Sequence, residues 1–144
     1  MSRAGYSEDC DGWALIRWRG QVASAIRGAR GQAFLHELIA ALDAMPDRQL
    51  VAEVLEEKGN VCAIGSVGIL RGIDMTKLDP EDPDGIAAAF GIAPQMVREI
   101  EFMNDEAAWR EEPAERWRRM RAWAVEHLRA GPPERAAAVV EVTP

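Results

Sequence analysis

The chain has 144 residues, 48% hydrophobic and 28% charged, and a formal net charge of −7, the size and balance of one soluble globular domain. No window approaches the roughly 18 consecutive apolar residues of a membrane span, and the opening MSRAGYSEDCDG lacks the apolar core of a signal peptide, so a cytoplasmic protein is expected. Two cysteines (Cys10, Cys62) and two histidines (His36, His127) without ligand spacing argue against a disulfide or a zinc site, and neither metal nor cofactor is expected.

Residues 1–11 read as an N-terminal extension. Residues 12–28 follow as a helix with Asp11 as N-cap, Gly28 or Gly31 as stop, and a buried face of Leu15, Trp18, Val22, Ala25 and Ile26. Its charges are all positive. Residues 32–45 form the clearest helix, with Phe34, Leu35, Leu38, Ile39, Leu42 and Met45 as a broad apolar stripe that Pro46 ends. His36 falls on the rim of that stripe, with no acid or nucleophile at a telling distance. Residues 49–57 fit either a helical face or the first arm of a hairpin; Lys58-Gly59-Asn60 supplies turn chemistry and favours the hairpin.

Residues 61–72 read as a short buried helix. Leu78-Asp-Pro-Glu-Asp-Pro-Asp is a loop that leads into a helix over 83–90, closed by Gly91. Pro94 opens another helix to about Asn104, and Pro113 opens the last, over 113–129, before Gly131-Pro132-Pro133. In the tail, 131–144, Ala-Val-Val-Glu-Val could pair as an edge strand. The expected fold is mostly α: a single helical domain over 12–130, of about six helices, with one short β-hairpin near 50–63.

The stretch Gly59-Asn-Val-Cys-Ala-Ile-Gly-Ser-Val-Gly-Ile-Leu-Arg-Gly72 invites a chemical reading. It lacks the Lys-Ser/Thr pair of a P-loop and the spacing of a dinucleotide fingerprint. Gly65-Ser66-Val67-Gly68 is one residue short of a nucleophile elbow. Cys62 has apolar neighbours, which keep a thiol inert. A buried helix with a small-residue groove, cut by Cys62, Gly65, Gly68 and Gly72, is the simpler account; an enzyme using Cys62 is the least favoured reading.

Charge is unevenly spread. Residues 51–106 hold four basic and twelve acidic residues, a balance of −8, against 0 for 1–50 and +1 for 107–144. Asp82, Asp84, Glu99, Glu101 and Asp105 are therefore candidates for an acidic partner-binding face. The helix–glycine–helix layout of 86–104 resembles a helix-turn-helix, but its second helix is too acidic to approach a duplex. Arg17, Arg19, Arg116 and Arg119 with Trp109 and Trp123 make a second candidate face, able to stack on bases or to anchor a protein. Trp109 and Trp123 lie off the stripe of Trp117, Met120, Ala124 and Leu128 and are the expected exposed aromatics.

Val61-Cys-Ala-Ile-Gly65, Leu78-Asp-Pro-Glu-Asp82, Ala89-Phe-Gly-Ile92 and Asn104-Asp105 together resemble a diffuse group of small phage and prophage proteins of unknown function. That resemblance carries over no catalytic residue. It implies a phage setting, in which small acidic proteins often act as anti-defence factors, such as inhibitors of CRISPR–Cas complexes or binders of immune nucleotide signals. The expected function is non-enzymatic: binding and inhibiting or remodelling a host protein or complex. Nucleic-acid or nucleotide binding, or regulation through a helix-turn-helix, is the alternative. A homodimer is compatible with either, and no membrane is involved.

Overall fold

The computed structural model describes residues 3–4 and 12–129. The predicted Asp11 cap and the edge strand within 131–144 lie outside these residues. Six helices run α1 (Gly12–Arg27), α2 (Ala29–Ala44), α3 (Ala63–Arg71), α4 (Pro83–Phe90), α5 (Pro94–Asp105) and α6 (Pro113–Glu126). Between α2 and α3 lies an antiparallel hairpin of β1 (Glu56–Glu57) and β2 (Asn60–Val61), with Glu56 opposite Val61 and Glu57 opposite Asn60. Lys58 and Gly59 both have positive φ, 53° and 85°, as a tight two-residue turn requires. The ambiguous segment 49–57 is thus no helix: it bends through 52–55, bonds Val51 N–H to Val61 O at 2.9 Å, and is strand only at Glu56–Glu57. A single 3-10 turn at Met75–Lys77, without a sequence signal strong enough to anticipate it, follows α3.

Helix ends fall where proline and glycine place them. Pro83, Pro94 and Pro113 occupy first turns, where their missing N–H costs no hydrogen bond. Gly72 ends α3 at φ 72°, its N–H bonded to Ile69 O at 3.1 Å while Ile73 N–H reaches Gly68 O at 2.9 Å; these paired bonds satisfy the last carbonyls and need a left-handed residue between them.

Helix α2 is the centre. It packs on α1, α3 and α6, while α5 is covered by α1, α3 and α4. Phe34, Leu35, Leu38 and Leu42 of α2 meet Ile64 and Val67 of α3, Ile86 and Phe90 of α4, and Met96 and Ile100 of α5 in one core cluster. Phe34 and Phe90 cross edge to face, 6.2 Å between centroids. Trp117 Nε1 donates to Leu42 O at 3.1 Å, which fixes α6 across α2. On α1, Val22 and Ile26 are buried, but Leu15 is exposed with Trp13 and Ile16. The predicted stripe holds from Trp18 onward, through Val22, Ala25 and Ile26, and fails at Leu15.

One further expectation changes. Arg3 and Ala4 are buried inside the domain, so part of the N-terminal extension belongs to the fold. Helix α5 packs into the core through Met96, Val97, Glu99, Ile100, Glu101 and Asn104, in keeping with a helix–glycine–helix layout used for packing.

The small residues of α3 admit other parts of the chain than a second helix: Gly68 receives the Met75 side chain, and Gly65 the hairpin. A Cβ on Gly65 would lie 2.1 Å from Leu55 O and 3.0 Å from Val61 Cβ, so the backbone of the hairpin closes directly onto α3. Gly65→Ala is expected to lower the unfolding free energy by about 3 kcal/mol, since backbone cannot yield as a side chain does. Gly20→Ala, in α1 with nothing within 4 Å of the new methyl, should instead raise it by about 0.5–1 kcal/mol. Urea unfolding of the two variants checks both signs.

Candidate functional site

The two faces proposed from the sequence dissolve on inspection. Asp82 and Asp84 are exposed at the start of α4, where Asp82 accepts from Gly85 N–H at 3.2 Å as N-cap. Glu99 is buried and takes both guanidinium nitrogens of Arg19, at 2.8 and 3.1 Å. Glu101 is fully buried, and the Asp105 side chain is all but enclosed. Three of the five acids therefore face inward, and no continuous acidic face exists among them.

The arginines are similarly engaged. Arg116 donates to Asn104 O at 2.9 Å and Leu50 O at 3.0 Å. Arg119 forks onto Glu111 at 2.6 and 2.8 Å, which holds that carboxyl below its usual range. Trp123 is buried against His127, ring centroids 4.6 Å apart; its spacing of three from Met120 put it on the inner stripe after all. Arg17, Trp109, the latter 86% exposed, and Arg19, half exposed although paired with Glu99, remain as surface groups, on α1 and on the α5–α6 connector.

A buried polar centre replaces both faces. Asn104 Oδ1 accepts from Ala63 N–H at 3.0 Å, the first amide of α3, while its Nδ2 donates to Val51 O at 2.9 Å and to Asp105 at 2.8 Å. Cys62 caps the same helix end: it is fully buried, and its Sγ accepts from Gly65 N–H at 3.4 Å. Beside them lie Arg3, Glu101 and Asp105. Burial pushes the Glu101 carboxyl up to about 8; Arg3 and Arg98 oppose that rise and Asp105 adds to it.

On the opposite side of α3 a groove of about 430 Å³ opens between α3, the C-terminal end of α2 and the hairpin. Ala41, Met45, Pro46, Val61, Ile69 and Leu70 supply its apolar walls. The sequence reading had α3 buried all round. Its first six residues, Ala63–Gly68, are buried, but Ile69 and Leu70 emerge 54% and 51% exposed. A continuous apolar run does not reveal which of its turns stays uncovered. Ser66 lines the floor, its hydroxyl donated to Ala63 O at 2.6 Å. Asp47 lines the groove, and Glu56 and Glu57 are exposed on β1, the strand paired with the lining residues Val61 and Asn60; none of the three forms an ion pair among the described residues.

Among the described residues no group of His, Cys, Asp and Glu could hold a metal ion, and no helix is long and apolar enough to cross a membrane. Comparison with known protein families, curated proteins and solved structures gives no match.

Glu101 predicts a pH dependence. Its folded-state pKa, about 8, stands above the ordinary 4.5, so the folded chain holds a proton that the unfolded chain releases. The stability this contributes is complete below about pH 4.5, is lost as pH rises to about 8, and is gone above it, at no more than about 1.4 kcal/mol per pH unit. Glu101→Gln keeps the neutral form at every pH. Its melting temperature should match the parent near pH 5 and exceed it by several degrees at pH 8.5; equal profiles across that range would refute the assignment.

Proposed function

We propose that the chain is a non-enzymatic interaction protein whose α2–α3 groove receives an apolar segment of a partner protein, flanked by lysine or arginine. The observation that carries this reading is the pair Ile69 and Leu70, large aliphatic side chains half exposed on the last turn of a helix whose earlier turns are entirely buried. Adjacent exposed aliphatics beside a concave apolar wall are the usual mark of a docking site. Covering the exposed half of each is worth about 1 kcal/mol.

The chemistry of the partner follows from the rim. Asp47 lines the groove and Glu56 and Glu57 are exposed on the adjoining strand β1, all without cationic partners among the described residues, so a basic segment is steered toward it and an acidic one repelled. An amphipathic helix meets both demands with apolar residues at i, i+3, i+4 and i+7 and basic residues beside them. A host protein is the class of partner that the resemblance to phage proteins implies.

The alternatives draw less support. Most of the arginines offered for nucleic-acid binding bond to carboxylates or backbone carbonyls of the fold. Cys62 is enclosed and serves as a helix cap.

Selection of random 16-residue peptides displayed on phage against the immobilised protein tests the reading. Enriched sequences should carry the helical apolar spacing with flanking Lys or Arg. Their affinity should fall at least tenfold on Leu70→Glu, with an unchanged thermal melt, and should weaken with added salt. Enrichment of acidic or wholly polar peptides, or indifference to Leu70→Glu, would sink the proposal. Sedimentation of the free chain shows whether a second copy covers the groove instead.

A further inference from the structure

The polar centre on the other side of α3 carries an inference independent of the groove. Arg3 reaches α5 from 102 positions away in the chain: its Nε and Nη2 donate to the two oxygens of Asp105 at 2.6 and 3.0 Å. Its Nη1 lies 3.7 Å from Glu101 Oε2. Cys62 is close enough to act on the guanidinium electrostatically. Glu101 and Asp105 stand one turn apart on the same face of α5, which matches the two edges of a planar guanidinium.

The receiving side is held in place by other parts of the chain. Asp105 Oδ1 also accepts from Asn104 Nδ2 at 2.8 Å and from Glu53 N–H at 3.0 Å. Glu53 sits at φ 70°, a conformation costly for a residue with a side chain, and in it the amide points at the carboxylate. Glu101 is fully buried, yet neither of its oxygens accepts a hydrogen bond. Burial favours its neutral form, so Asp105 is the anion that holds the guanidinium, and Glu101 lines the second edge of the cleft.

We propose that the cleft between the N-terminus of α3 and the last turns of α5 is a guanidinium-binding site, filled in cis by Arg3 and able to take an arginine side chain or alkylguanidinium from solution when Arg3 is removed. Its walls (Asp105, Glu101, Asn104 and the capped end of α3) come from the rest of the fold, so the pocket outlasts the loss of its occupant. Cys62 caps the same end of α3 and is fully buried, so its alkylation reports opening of the cleft.

The experiment uses the full chain carrying Cys10→Ser, so that Cys62 is the sole thiol, with and without Arg3→Ala. Melting temperature and the rate of Cys62 alkylation are followed while methylguanidinium is added up to tens of millimolar, with methylammonium at equal ionic strength as control. Arg3→Ala should lower the melting temperature and speed alkylation at least tenfold. Methylguanidinium should reverse both saturably in that variant alone, and Asp105→Asn added to it should abolish the rescue. Should Arg3→Ala fail to fold, Arg3→Lys, which keeps charge but loses the planar fork, takes its place in the same titration. Rescue by methylammonium to the same degree, or a steady fall in melting temperature with methylguanidinium in parent and variant alike, would overturn the proposal.

Discussion

The Asn104 carboxamide is the tie on which the rest of the structure depends. One side chain closes the open amide end of α3, holds the extended strand at Val51 and steadies Asp105. Its own backbone carbonyl accepts from Arg116 of α6. Four segments that are distant in sequence thus meet at one buried residue. Each hydrogen bond is worth only about 1 kcal/mol net. Losing the residue, however, would leave several buried donors and acceptors unpaired at once, and such networks fail together rather than bond by bond. An apolar residue of the same size could fill the space but could not set the register between hairpin, α3 and α5.

This arrangement fixes α3 along its length. Its N-terminus is fixed by Asn104 and Cys62, its flank is pressed against Leu55 through Gly65, and its end is turned by Gly72. Arg71, the last residue of the helix, forks onto Glu37 and donates to Phe90 O at 3.1 Å, which ties α2 and α4 to the same point. Ile69 and Leu70 are held immediately before that clip. A partner that docks there orders little that is not already ordered, so less of its binding energy is spent on conformational entropy.

Much of this was legible in the sequence where the signal is local. Pro83, Pro94, Pro113, Gly72 and Gly91 act on their own backbone, and the helix ends fall beside them. The stripe of α2 was legible because one helix carries it whole. What could not be read was the pairing of charges across the chain. Arg19 meets Glu99 across 80 positions and Arg3 meets Asp105 across 102, and no window short enough to reveal periodicity contains both. A local count of charge therefore turned inward carboxylates into an apparent surface. Trp123 was a different failure: its spacing from Met120 and Trp117 agreed with the inner stripe, and its arginine neighbours obscured that.

The placement of these charges also bears on what the exterior can attract. The excess of acids in residues 51–106 overstates the outward field, because Glu99, Glu101 and Asp105 are enclosed and two of them are matched by arginines from before residue 20. The carboxylates that remain outside on this segment are spread over Glu53, the hairpin at Glu56 and Glu57, the run Asp74, Asp79, Glu81, Asp82 and Asp84 that leads into α4, and Glu106. The hairpin pair adjoins an apolar wall, and Asp82 is partly spent on capping its own helix. Charge beside a hydrophobic wall is what gives an interface both rate and register. The same argument separates the two sites: the groove has charge outside and grease within, whereas the Arg3 cleft has its charge inside, where desolvation makes the fit of a single guanidinium decide the outcome.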